Sequence, residues 1–153
     1  KADFQMYLGD VYQELGEYER SASYYDQVLK ADPDNAYVLN NYSYYLTLRG
    51  ERLDKAAEMA KRANELEADN ASFQDTYAWV LYRQGKYAEA RQWLEKALAG
   101  DGAGNEVILE HYGDVLYRLG EKDKAMEYWQ KAAGSGKGSE ILQKKIRDGQ
   151  LYE

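Results

Sequence analysis

Apolar residues recur along this chain at helical spacing. Leu109, Tyr112, Leu116 and Leu119 fall at i, i+3, i+7 and i+10, and Ala125, Trp129 and Ala132 follow at i, i+4 and i+7. Each set lines one face of a helix. Tyr77 and Leu81, then Ala90, Leu94 and Ala97, carry the same rhythm earlier. The stretches between turn residues run to about 14 residues, and none sustains the alternation of a strand. The pattern predicts an all-α fold.

The helical pattern is itself repeated. Gly16, Gly50, Gly85 and Gly120 are spaced by 34, 35 and 35 residues. Small residues Gly9, Ser43, Ala78 and Gly113 keep the same spacing, and Ser21, Ala56, Ala90 and Ala125 follow at 35, 34 and 35. Asn35, Asn70 and Asn105 repeat every 35 residues. Each series has a physical reason. The glycines after apolar runs supply the left-handed turn that ends a helix. The small residues let two helices of a hairpin approach, and the asparagines stand where an N-cap accepts free backbone N–H groups. Four hairpins are predicted, over about 2–35, 36–70, 71–105 and 106–137, with one extra residue in the second turn, Gly50-Glu51-Arg52-Leu53. Gly134-Ser135-Gly136-Lys137-Gly138 reads as a connector to a capping helix at about 139–148. There Ile141, Leu142 and Ile146 are expected to cover the last hairpin, and Lys144, Lys145 and Arg147 to face water. Lys1-Ala2-Asp3 enters the first helix without such a cap, so further repeats are expected before residue 1 in a longer parent chain.

These residues carry a resemblance to the tetratricopeptide repeat family. Leu8-Gly9, Tyr12, Gly16, Tyr18, Ser21, Tyr25 and Pro33 match its pattern in the first copy, and Gly113, Leu116, Gly120, Ala125, Trp129 and Ala132 match it in the fourth. The chain departs where the first-helix Trp slot holds Gln5, Leu39, Gln74 and Leu109, and where only the first copy keeps its proline. The resemblance implies a single domain, a right-handed superhelical solenoid of four antiparallel hairpins plus the capping helix. It also implies that first helices line a concave groove that takes a peptide or partner protein. On that geometry Asn40, Asn41 and Tyr44 from the second hairpin, Asp75, Trp79, Tyr82 and Arg83 from the third, and His111, Asp114, Tyr117 and Arg118 from the fourth line the groove. Tyr44, Trp79, Tyr82 and Tyr117 are expected as exposed aromatics, the residue type that often dominates interface energy. The mixture of acids with Arg83 and Arg118 suits a partner with aromatic and basic residues. Chaperone-binding members clamp a peptide carboxylate with basic and amide residues, but Met6, Asp10, Ser72 and Thr76 stand at those places, so that clamp is not expected.

Composition narrows the chemistry. A net charge of -7 opposes binding to nucleic acid or anionic membranes, which need clustered Lys and Arg. A mean hydropathy of -0.81 and the absence of a long apolar run oppose direct membrane insertion. The chain has no cysteine and one histidine, His111, which leaves thiolate, triad and histidine-cluster metal chemistry without components. His111 with Asp114 at i+3 is too few ligands for a metal site. Gly136-Lys137-Gly138-Ser139 lacks the remaining glycine, the hydroxyl after lysine and the strand of a phosphate loop. No pair among the 27 acids stands out as general acid and base. The expectation is a non-catalytic scaffold without cofactor. The alternative is a structural end-segment of a longer solenoid that mediates complex assembly or self-association. The resemblance extends to C-terminal repeats of bacterial tetratricopeptide proteins of the cytoplasm or the cell envelope and periplasm.

Overall fold

The computed structural model describes residues 1–134, 136 and 138–153. The predicted connector and the Gly136–Ser139 stretch therefore include two positions, Ser135 and Lys137, that lie outside the described residues. Among the described residues are nine helices and no strand: α1 (Ala2–Glu14), α2 (Tyr18–Ala31), α3 (Ala36–Arg49), α4 (Leu53–Leu66), α5 (Ala71–Arg83), α6 (Tyr87–Ala99), α7 (Glu106–Arg118), α8 (Lys122–Ala133) and α9 (Glu140–Asp148). The chain forms two compact units, Lys1–Ala68 and Asp69–Glu153. In the first, α1 packs on α2 and α3 on α4. In the second, α5 packs on α6, α7 on α8, and α9 on α8.

Each repeated residue type performs one local task. Gly16, Gly50, Gly85 and Gly120 all take positive φ, between 68° and 86°, where a side chain would strain the backbone. The extra residue of the second turn makes Arg52 left-handed as well, at φ 48°. Asn35, Asn70 and Asn105 accept from the backbone N–H of Val38, Phe73 and Ile108 at 3.0 to 3.1 Å, which starts α3, α5 and α7.

The small-residue series sets how closely hairpins close. A Cβ on Gly9 would lie 2.5 Å from the Tyr25 ring, and one on Gly113 would lie 2.5 Å from the Trp129 indole nitrogen. Both rings are buried, and a fully buried side chain of this kind contributes ~1.5–3 kcal/mol. Their polar ends are met within the hairpin. Tyr25 hydroxyl donates to Asp10, and Trp129 Nε1 donates to Asp114 at 3.0 Å. Ser21, in the facing series, donates its hydroxyl to Gly9 carbonyl at 2.7 Å.

The capping helix differs in part from expectation. Ser139 caps α9 by accepting from Leu142 N–H at 3.1 Å. Leu142 is buried and Ile146 half-buried, but Ile141 is exposed. Lys144 and Arg147 face water as expected, whereas Lys145 is only 3% exposed. The reason is electrostatic: its ammonium lies 2.6 Å from Glu110 and 2.9 Å from Asp114, both on α7.

Candidate partner-binding site

In the first unit α3 carries three of the expected residues. Asn40 is buried and donates to Asn41 at 3.4 Å, and Asn41 donates to Asp10 at the same distance. The Asn40 Oδ1 acceptor is buried with no partner among the described residues. Tyr44 is half-buried beside Tyr45, with ring centres 5.7 Å apart.

The second unit brings most of the others into one network across α5 and α7. Tyr82, Trp79 and His111 form a column of parallel rings, with centres 4.4 Å and then 3.8 Å apart. His111 Nδ1 is 2.8 Å from Asp75 Oδ1, which fixes the far end of the column. Such stacking of aromatic faces adds to the area they bury. The spacing explains the register: α5 contributes i, i+4 and i+7 (Asp75, Trp79, Tyr82), so its ring pair shares one helix face. Tyr117 stacks on Trp129 at 5.7 Å, and Lys122 lies over its ring. Arg83 is exposed and outside this network.

Tyr82 corrects one expectation. It is 3% exposed, not an open aromatic, because Trp79 and Tyr87 pack on its ring and Arg118 and Glu153 meet its hydroxyl. Trp79, Tyr44 and Tyr117 are half-buried. Burial first, and then the neighbouring Glu153 carboxylate, raise the Tyr82 phenol, although the Arg118 hydrogen bond opposes them.

The acids of the network are neutralised from within. Burial pushes the Asp114 carboxyl up to about 6, while Lys145 and His111 pull it down. Burial lowers His111, but the Asp75 carboxylate, with Asp114 and Glu110, outweighs it and raises the imidazole. Among the described residues no group of three His, Cys, Asp or Glu side chains is placed to hold a metal. No helix among the described residues is long and apolar enough to cross a membrane.

Sequence reasoning did not find Lys145, Leu151 or Glu153. One signal was present for the first. Leu142, Lys145, Ile146 and Gly149 fall at i, i+3, i+4 and i+7, so Lys145 stands on the apolar face of its helix. A buried Asp114 also demands a cation.

Paired helices of about 35 residues with cap, glycine and small-residue positions in register define a helical-hairpin repeat protein. A tetratricopeptide repeat family matches residues 47–143 and a second matches residues 2–35, and the chain belongs to the tetratricopeptide repeat family, whose fold serves as a protein-interaction scaffold. Among solved structures it is similar to PilF of Pseudomonas aeruginosa, at 25% identity over 97% of this chain and 71% of that one, with a TM-score of 0.78. PilW, a widely conserved type IV pilus biogenesis factor, gives 21% identity, 88% and 61% coverage, and a TM-score of 0.80. MamA gives 24% identity, 97% and 81% coverage, and a TM-score of 0.75. The chain thus spans 61% of the PilW chain. A comparison with curated proteins finds no match.

Proposed function

We propose that this chain is a non-catalytic scaffold, without cofactor, that binds a peptide or partner protein on the inner faces of its first helices. The observation that carries this reading is the Tyr82–Trp79–His111 column, with Arg118 at the Tyr82 hydroxyl and Arg83 exposed on the same helix as Trp79. It gathers the residue types that anchor interfaces, on two consecutive first helices, and leaves Trp79 half-open. Asn41 and Tyr44, half-buried on α3, offer a second face in the first unit, and Asp75 holds His111 at the end of the column. Likeness to a pilus biogenesis factor agrees with work in protein assembly in a bacterial cytoplasm or envelope.

The test is crosslinking mass spectrometry in the native source, with wild type, a Trp79→Ala/Arg83→Ala variant and a Lys61→Ala/Glu65→Ala control on the exposed face of α4. Wild type and control should capture one shared partner, and the inner-face variant should lose it by tenfold or more, since a hot spot is worth ~2 kcal/mol. Equal capture by all three would place the interface elsewhere and sink the reading.

A specific observation favours the structural alternative. Phe4 and Tyr7 on α1, and Leu15 just after it, are 60 to 65% exposed, whereas Val38 and Ile108, counterparts of Phe4, are buried. Sedimentation of wild type and a Phe4→Asp/Leu15→Asp variant tests self-association through this face. A larger wild-type species that the variant lacks would support it, and identical monomers would exclude it.

A further inference from the structure

The segment after α9 returns to the α5/α7 face. Gly149, at φ 62°, permits the reversal, and Leu151 then packs half-buried against the hydrophobic cluster of the second unit. Two residues on, Glu153 brings its carboxylate to two donors of different chemistry. The Tyr82 hydroxyl donates to Oε2 at 2.6 Å, and the Arg118 guanidinium pairs with Oε1. Arg118 Nε also donates to the Tyr82 hydroxyl oxygen at 3.4 Å, which ties the two donors together. Tyr152, between them, is bonded back to Asp148 of α9 at 2.8 Å and not to the column.

The two sides of this contact differ in how firmly they are held. Tyr82 is fixed by the ring column down to His111 and Asp75, so its hydroxyl is oriented independently of Glu153. Glu153 is an exposed side chain at the rim. A Tyr82 hydroxyl oriented in advance lowers what any carboxylate must lose on binding there.

Charge selects the ligand. Asp114 and Glu110 share Lys145, and Asp75 is paired to His111, so each of these three acids already has a partner within the face. Arg118, by contrast, has Glu153 as its carboxylate among the described residues, and Arg83 adjoins Tyr82 in sequence and is exposed. The acids are thus engaged internally, while the two arginines favour an acidic partner.

We propose that Tyr82 and Arg118 form a carboxylate subsite for an acidic peptide with an apolar residue two positions before a Glu or Asp, and that Leu151–Glu153 occupies this subsite as an internal competitor. This deepens the scaffold reading and rests on it. The i, i+2 spacing is the one at which an extended peptide puts both side chains on the same side. A tethered competitor acts at an effective concentration near millimolar, so it holds back weak peptides and yields to a better one.

The probe is a fluorescein-labelled Gly-Gln-Leu-Tyr-Glu peptide, read by anisotropy against the full chain and against a Leu151→Ser/Glu153→Gln variant that vacates the subsite. The vacated chain should bind the probe at least about tenfold more tightly than wild type, because the competent fraction rises. A probe ending in Gln should bind the vacated chain about tenfold less tightly, and adding Arg118→Gln should have the same effect, as expected for a charge-assisted contact. Glu153→Gln alone, a rim change that leaves packing intact, repeats the first measurement, with circular dichroism to confirm the fold. Equal affinity for the two chains, or for the two probes, overturns the proposal. So does a wild-type dimer that the vacated variant lacks, since the occupant would then be the segment of a second copy. If the probe fails while the Trp79→Ala/Arg83→Ala variant still loses its partner, this proposal falls and the scaffold reading stands.

Discussion

Replacing Lys145 by Met keeps the length of the side chain and removes its charge. In the folded chain that charge sits between Glu110 at 2.6 Å and Asp114 at 2.9 and 3.1 Å, with the lysine and Asp114 side chains only 4% and 5% exposed. Removing one member of such a pair leaves a buried charge without its partner, which costs ~3–5 kcal/mol. Trp129 still donates to Asp114, so the lower end, about 3 kcal/mol at pH 8, is expected. The penalty has a pH signature. The folded Asp114 carboxyl, at about 6, lies above the ~3.9 of an unfolded one. Protonation therefore favours the folded chain: this contribution is full below pH ~4 and is lost as pH rises through the folded value. Lys145→Met removes the largest influence holding that value down and moves it higher. At pH 5 Asp114 then carries a proton, and the penalty should shrink by ~1.4 kcal/mol or more. Urea unfolding followed by circular dichroism, at pH 8 and pH 5, measures both. Adding Asp114→Asn, which keeps an acceptor for Trp129, should recover most of the loss. A penalty below ~1 kcal/mol at pH 8, or one unchanged at pH 5, would refute the view that this pair fixes α9.

Three further outcomes are expected. Gly113→Val should lower stability by ~2–3 kcal/mol, because its branched side chain meets the Trp129 ring and the Ala125 carbonyl; thermal unfolding reads it. Asn105→Ala should cost ~1 kcal/mol through the lost cap of α7, and hydrogen exchange at Val107 and Ile108 should rise with it. His111 is raised in the folded chain, so its contribution to stability is full below pH ~6.5 and fades as pH rises through the folded value. The fluorescence of the stacked Trp79 should change with a midpoint above that pH, and His111→Gln should abolish the step.

What could be read from the sequence is what repeats. Gly16 and its three equivalents end helices, Asn35 and its equivalents cap them, and Ser21 with Ala56, Ala90 and Ala125 is buried, because these tasks depend on neighbours within one hairpin. The α5 and α7 residues of the ring column were legible as types and phase. Their state was not. Tyr82 reads as an open aromatic until a residue 71 positions later is found at its hydroxyl. Lys145 reads as a surface charge until Asp114, 31 positions earlier, is seen to need it. The cap and the segment after it occur once, so no period predicts where they lie. Phe4, Tyr7 and Leu15 show the converse: an apolar helical stripe marks a face to be covered, without naming the cover.

Four near-copies of one hairpin raise the hazard that a helix pairs with the wrong neighbour during folding. The two glycine–ring pairs act against it. Tyr25 fits over Gly9 and Trp129 over Gly113 because a hydrogen stands where Ser43 and Ala78 carry a Cβ. If α8 took the place of α6 on α5, its indole would meet the methyl of Ala78, and if α2 took the place of α4 on α3, its phenol would meet the side chain of Ser43. Asp10 and Asp114 add a matching acceptor next to each glycine, where the third hairpin has Trp79 and the second Tyr44. The fit of ring to glycine thus works as an address, sorting helices that the repeat pattern alone would leave interchangeable.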